Sequence, residues 1–260
     1  MFSTAAAPSF VSAGDFPRVP LKDMDSAMLS FELFREIDRV VVDERNRQMV
    51  ISAAMVATDL HSGQTRFVRG NLPRVPYIEH PLRNTLRLIR WGVTNAHLLT
   101  ACLLHDTVED CAEKLVANYL QRPELLGRSE REQRTEIYAW LSANYSVNST
   151  RVVRQVTNPT DDEGVSYVSH IREMTAIANP HTLLTKASDL VDNAGSLPYQ
   201  IGSMPEAKFT RLVERYWVPL ELVCNELTEL AEQITTSDAA IYARAAADLT
   251  KVIDALDALR

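Results

Sequence analysis

Ala101-Cys-Leu-Leu-His-Asp-Thr-Val-Glu-Asp110 decides how this chain reads. Ala101, Cys102, Leu103 and Leu104 run toward Val108 as a buried helix would. Inside that run sit His105, Asp106, Glu109 and Asp110. Burying an imidazole and three carboxylates together is costly unless they are paired or bind a metal ion. On a helix, His105 and Glu109 lie four apart, as do Asp106 and Asp110, so each pair shares roughly one face. The adjacent His-Asp offers one nitrogen and one oxygen ligand to a divalent ion. The acids one turn on can hold and deprotonate a water. A helix end with solvated acids is the plainer alternative, and the four small or aliphatic residues leading straight in weigh against it.

Outward from this stretch the pattern is helical in both directions. Asp23 to His61 carries Met28, Phe31, Phe34 and Ile37 at steps of three, and Ile51, Met55 and Leu60 continue a stripe. The charged run from Asp43 to Arg47 breaks this into two helices. Residues 62–77 read as a loop, punctuated by Gly63, Gly70, Pro73 and Pro76. That loop is basic, with Arg66, Arg69 and Arg74. Three solvated arginines and a site for a phosphate-like anion explain it equally well. Helix resumes from His80 to Trp91 and ends at Gly92; the next runs from Asn95 through the opening stretch. A helix over 112–119, a solvated connection over 121–134, and helices over 136–145, 150–156, 166–178 and 182–193 follow, with a turn over 158–164. Two long helices, 205–234 and 238–259, close the chain. No strand is expected. The fold class is all-α, with an irregular arm over 1–22, a core over 23–200 and C-terminal helices over 201–260.

Composition sets the limits. The chain has 260 residues, enough for a large core, and a hydrophobic fraction of 46%, normal for a globular protein. A net charge of -7 argues against broad nucleic-acid or anionic-membrane binding, while leaving room for a local basic pocket. The cysteines, Cys102, Cys111 and Cys224, are odd in number and lack metal-knuckle spacing, which fits a reducing cytoplasm. No apolar run is long enough to span a bilayer, and the first residues lack a signal-peptide pattern.

Two further stretches join the first. His80 precedes Pro81 at a helix start, where proline suits the first turn. A lone histidine there is more often a core or capping residue. Asp189 follows an apolar run, as Asp106 does, and Asn193 shares its face one turn on; Asp192 reads as a polar edge. His80, His105, Asp106 and Asp189 together form a His₂Asp₂ set. Mixed nitrogen and oxygen ligands suit Mn²⁺, Fe²⁺ or Zn²⁺ better than Mg²⁺ or Ca²⁺.

The collinear segments Ala57–Arg66, Pro76–Leu82, Leu104–Asp110, Gln155–Asn158 and Lys186–Asn193 resemble HD-domain metal-dependent phosphohydrolases. They are most similar to the hydrolase domain of the RelA/SpoT alarmone enzymes and its stand-alone relatives. The resemblance covers about residues 50–200. It implies an HD-type helical bundle with added terminal helices. It also implies Mn²⁺ held by His80, His105, Asp106 and Asp189, and hydrolysis of the 3′-pyrophosphate of guanosine tetra- and pentaphosphate. Glu109 and Asp110 would position and activate the attacking water. Arg66, Asn193, Lys186 and Thr157 would contact substrate. Phe67, standing where the family has a lysine, joins that set. The residues left over cannot house a synthetase domain, so a stand-alone hydrolase is expected. Its partners would be a phosphorylated nucleotide and, in an antitoxin variant, a small alarmone synthetase whose product is an adenosine alarmone or a pyrophosphorylated tRNA end. Self-association through the terminal helices and a non-catalytic nucleotide-sensing module are further alternatives.

Overall fold

The computed structural model describes residues 19–67, 74–160 and 163–259. Most of the expected arm over 1–22, the part of the basic loop holding Arg69, Gly70 and Pro73, and Asp161 and Asp162 of the expected turn lie outside the described residues. The described end of the arm is not irregular: Leu21–Asp23 forms a 3-10 turn with Leu21 buried.

The fold is all-α. Helices α1 (Ser26–Val40) and α2 (Glu44–Leu60) are separate because each has its own aspartate cap. Asp25 accepts from the Met28 N–H at 2.8 Å, and Asp43 from the Asn46 N–H at 2.8 Å. The apolar face of α1 differs from the one expected at steps of three. Leu29, Leu33 and Ile37 are buried, while Phe31 is 74% exposed, with Met28 and Phe34 beside it on the outside. Steps of four follow the helical turn more closely and keep one stripe against α3. On α2, likewise, Met55 is exposed and Ala53, Ala54 and Ala57 are buried.

The basic loop is not strandless. β1 (Thr65–Arg66) and β2 (Val75–Pro76) pair antiparallel, with Thr65 opposite Pro76. Two-residue strands are too short for an alternating pattern to announce them. Then come α3 (Glu79–Trp91), α4 (Ala96–Leu104), α5 (Thr107–Asp110) and α6 (Ala112–Lys114). The helix expected to run unbroken through the 101–110 stretch stops at His105. Side chains cause the stop: His105 Nδ1 bonds the Cys102 carbonyl at 2.8 Å and Thr107 Oγ1 donates to the Leu104 carbonyl at 2.7 Å. A π-helical segment, Leu115–Leu120, extends α6. The connection expected over 121–134 is partly ordered: Pro123–Gly127 is a 3-10 turn, and a Ser129/Glu132 capping box starts α7 (Glu130–Asn144). The remaining helices are α8 (Val147–Val156), α9 (Tyr167–Ile177), α10 (Pro180–Asn193), α11 (Glu206–Gln233) and α12 (Ala239–Asp257).

Helix α3 lies at the centre, packed by α1, α4, α10 and α12. It is buried nearly all round, its polar residues Glu79, His80, Arg83, Asn84 and Arg87 included. Gly92 ends it at φ +110, a conformation that favours glycine. Helices α11 and α12 pack on each other and on α10. Val213, Leu220 and Leu249 belong to the same apolar cluster as Leu103 and Leu183, so the C-terminal helices share the core. Among the described residues, no helix is long and apolar enough to cross a membrane.

Candidate metal centre

Three segments meet beside the start of α3. His80, in its first turn, is fully buried. Its Nε2 lies 3.2 Å from Asp189 Oδ1 on α10 and 3.3 Å from Asp106 Oδ2 at the α4–α5 break. The break turns Asp106 toward both imidazoles, since Asp106 Oδ1 is also 3.1 Å from His105 Nε2. Tyr77 donates its hydroxyl proton to Asp106 Oδ2 at 2.8 Å.

The tautomer of His105 follows from its neighbour. A carbonyl only accepts, so Nδ1 facing the Cys102 carbonyl carries a proton, and in the neutral ring the lone pair sits on Nε2. That Nε2 is buried and meets no hydrogen-bond partner in bonding geometry among the described residues. The ligand atoms of His80, His105 and Asp189 all lie within 4.8 Å of one another. This buried group can hold a metal ion, and an orphaned imidazole nitrogen aimed into it is what such a site requires.

Asp192 is not the polar edge expected from sequence. It is fully buried and its carboxylate organises the back of the centre. Oδ2 receives His80 Nδ1 at 2.7 Å, and Oδ1 accepts from Arg83 Nε at 2.9 Å and Arg87 Nη2 at 3.3 Å. Arg83 also bonds Glu79 at 3.0 Å. A carboxylate behind a histidine fixes its tautomer and raises its basicity toward a metal. Two arginines four apart inside an apolar helix, Arg83 and Arg87, were the sequence signal that such a buried anion had to exist.

Burial alone would push the His105 imidazolium down in pKa, but the charges of Asp106 and Asp189 raise it to about 9. Burial likewise works against ionised Asp106, and His105 and His80 hold it well below the usual carboxylate range. Asp189 is held low against burial by Lys186, whose Nζ donates to Oδ2 at 2.9 Å, and by the two histidines. The carboxylates around them thus shift both imidazoles toward the protonated form.

A cavity of about 350 Å³ opens in front of this group. Glu109 lines it, half-buried, with Oε1 accepting from the Asn158 N–H at 2.5 Å and Oε2 from the Asn158 side chain at 2.9 Å. Burial, then the charge of Asp106, raises the Glu109 pKa. Asp110 lines the same cavity but is exposed, and is raised by the same two causes. Arg66 donates to Asn193 Oδ1 and stacks over Tyr77 at 5.3 Å, while Asn193 donates to Asp189 Oδ1 at 2.5 Å. Phe67 and Lys186 also line the cavity. Arg74 covers the Phe67 ring at 4.6 Å.

Thr157 does not line this cavity. Its hydroxyl is used on the Val153 carbonyl at 2.7 Å, and it faces a different hollow with Arg134 and Arg154. The next residue, Asn158, is the one that reaches the site. Sequence reasoning also missed Tyr77, Tyr167 and the α11 residues Arg215 and Tyr216, all lining the cavity. Arg215 lies over the Tyr167 ring at 4.8 Å from one side of the cavity. Nothing local in sequence ties α11 to the 101–110 stretch. Compared with protein-family models and with curated proteins, the chain finds no match.

Proposed function

We propose that this chain is a metal-dependent phosphohydrolase that uses Mn²⁺ and removes the 3′-pyrophosphate from guanosine tetra- and pentaphosphate. One observation carries the proposal: the orphaned His105 Nε2 points into a buried His/Asp group at the floor of a cavity that also holds Glu109, Arg66 and Lys186. Mixed imidazole and carboxylate donors suit Mn²⁺, with Asp106 as the fourth ligand beside His80, His105 and Asp189. A bound divalent ion would polarise a phosphate oxygen and acidify a water at the site.

The residues of the chain supply the rest. Glu109, fixed by Asn158 and with a raised pKa, is suited to take the proton of the attacking water. Attack at the proximal phosphorus breaks its bond to the 3′ oxygen. Pyrophosphate leaves, and the 3′ oxygen takes up a proton from the solvent that reaches exposed Asp110. Arg66 and Lys186 offset phosphate charge as it shifts. Phe67 offers the base an apolar face beside the phosphate-binding arginine.

The test is direct. Purified protein with Mn²⁺ is incubated with guanosine tetraphosphate, the adenosine analogue, a 3′-pyrophosphorylated tRNA end and ordinary nucleoside triphosphates, and released pyrophosphate is followed. Release from guanosine tetraphosphate is expected. Release only from the adenosine or tRNA substrate moves the assignment to an antitoxin-type hydrolase. No release from any 3′-pyrophosphate by folded, metal-loaded protein overturns it.

A further inference from the structure

Behind the metal centre, on the far side of Asp192, lies a second cavity of about 600 Å³, larger than the one in front. It is walled by the Pro20–Asp23 turn, the end of α3, and α12. Five cationic side chains line it, Lys22, Arg87, Arg90, Arg244 and Lys251, against two carboxylates, Asp23 and Asp248. In a chain of net charge -7 this is a local reversal of sign. Asp248 is already engaged, accepting from Trp91 Nε1 at 2.9 Å and from Lys251 at 2.8 Å. The volume falls in the range of small-ligand sites, about 300 to 1,000 Å³. Tyr199, more than half exposed, adds a ring at the rim, with Lys22 Nζ 5.8 Å from its centre.

The wall of this cavity is also the back of the metal centre. Lys22 Nζ donates to the Asp192 carbonyl at 3.1 Å and to Ser196 Oγ at 2.7 Å. Arg87 reaches the Asp192 carboxylate, whose other oxygen holds His80 Nδ1. We propose that this cavity is a second ligand site, selective for oligophosphate anions, and that its occupant acts on His80 through Lys22, Arg87 and Asp192. The exposed Arg244 guanidinium and Lys251 ammonium match the geometry and charge of a diphosphate, while Lys22 and Arg87, already bonded to Asp192, Ser196 and Ser188, add buried positive charge behind them. The electrostatics agree: burial first, then the positive charges of Arg87, Arg83 and Arg66, lower the Lys22 pKa to about 7 against the pull of Asp192. An anion would relieve that crowding of positive charge. Free pyrophosphate and the phosphate chain of a nucleotide share the required chemistry. The site does not rest on the hydrolase reading, because the two cavities share no lining residue.

Calorimetric titration of metal-free full-length protein with inorganic pyrophosphate, and separately with guanosine and adenosine diphosphates, tests the proposal. The variants are Lys251→Glu and Arg244→Gln at the rear cavity and Arg66→Ala at the front one. A binding event that survives Arg66→Ala and weakens about tenfold or more in Lys251→Glu and Arg244→Gln is expected, the cost of losing a charge-assisted contact. Lys251 is exposed, so its variant retains the fold even if Arg244→Gln does not. Tighter binding of pyrophosphate than of the diphosphates assigns the free anion as occupant, and the reverse assigns a nucleotide. Wild-type affinity in Lys251→Glu and in folded Arg244→Gln overturns the site. In the Arg66→Ala background, the His80 imidazole NMR signals should shift on saturation. Unmoved His80 signals with the cavity filled overturn the link to the metal centre.

Discussion

Asp192→Asn separates the support of the centre from its ligands. The substitution keeps size and shape but removes the one negative charge shared by His80, Arg83 and Arg87. Arg83 retains Glu79 at 3.0 Å, whereas Arg87 loses the carboxylate it pairs with and is left among neutral acceptors, Asn84 and Ser188. Stranding a buried cation in this way costs about 3 to 5 kcal/mol. Total stability of a domain is roughly 5 to 15 kcal/mol, so the variant should fold but with a thin margin. For a chain of this size that loss lowers Tm by about 10 °C. An asparagine also orients His80 poorly, because its amide can present a donor to Nδ1, and metal affinity should fall about 10- to 100-fold. Thermal unfolding of the metal-free protein measures the first effect, and Mn²⁺ titration of the folded variant the second. If the metal-free variant melts within roughly 2 °C of the parent, the buried charge network is not what holds α3 to α10. If the melt falls but metal affinity does not, Asp192 stabilises the fold without setting His80.

The remaining predictions follow the same geometry. Glu109→Gln should leave Mn²⁺ binding unchanged and lower turnover about 10²- to 10⁴-fold, and full turnover would remove Glu109 as the proton acceptor. Mn²⁺ affinity should depend on pH with a definite sign. In metal-free protein the His105 proton is held up to about pH 9, so metal must displace it below that value. Affinity should therefore rise with pH by about tenfold per unit per displaced proton and level off above the His105 value; a flat profile from neutral to pH 9 would remove His105 from the ligand set. The same raised value stabilises the metal-free fold at pH below the ordinary histidine range, and this contribution should fade as pH climbs toward 9. Gly92→Ala should destabilise by about 1 to 2 kcal/mol in urea unfolding, because the residue sits at φ +110 and its Cβ would come 2.9 Å from Arg244 Nη1.

The helical character of the chain and the bounds of its last helices were legible because their apolar spacing is long and regular. Gly92 marks the end of α3 as the residues alone suggest, whereas the helix begins at Glu79, two residues before Pro81, so that His80 lies inside its first turn. The face of α1 was not legible, since Met28, Phe31 and Phe34 make as good a stripe on paper as Leu29, Leu33 and Ile37. Only the presence of α3 on one side decides between them. In the site, His105, Asp106 and Asp189 could be read as charged interruptions of apolar runs, and His80 as a histidine before Pro81 at a helix start; the structure brings the four together. Asp192 was misjudged because its partners lie more than a hundred positions away, and adjacency to Asp189 made it look redundant. Asn158 rather than Thr157 reaches the cavity because a one-residue difference at the end of α8 decides which side chain turns toward Glu109.

The meeting of α3 with α10 has a temporal side. His80 and Asp192 are separated by 112 positions, and Lys186, Asp189 and Asp192 all arrive on α10. During synthesis, α1 to α8 can emerge with Arg83 already paired to Glu79 and Asp106 beside His80, while Arg87 still lacks the Asp192 carboxylate. Closing so long a loop is slow relative to forming the helices themselves. Until α10 docks, Arg87 has no carboxylate to pair with, and α10 is the element that brings one. Any metal held by this group would then report the docking of α10 on α3, a step that α11 and α12, which follow in the chain, still have to cover.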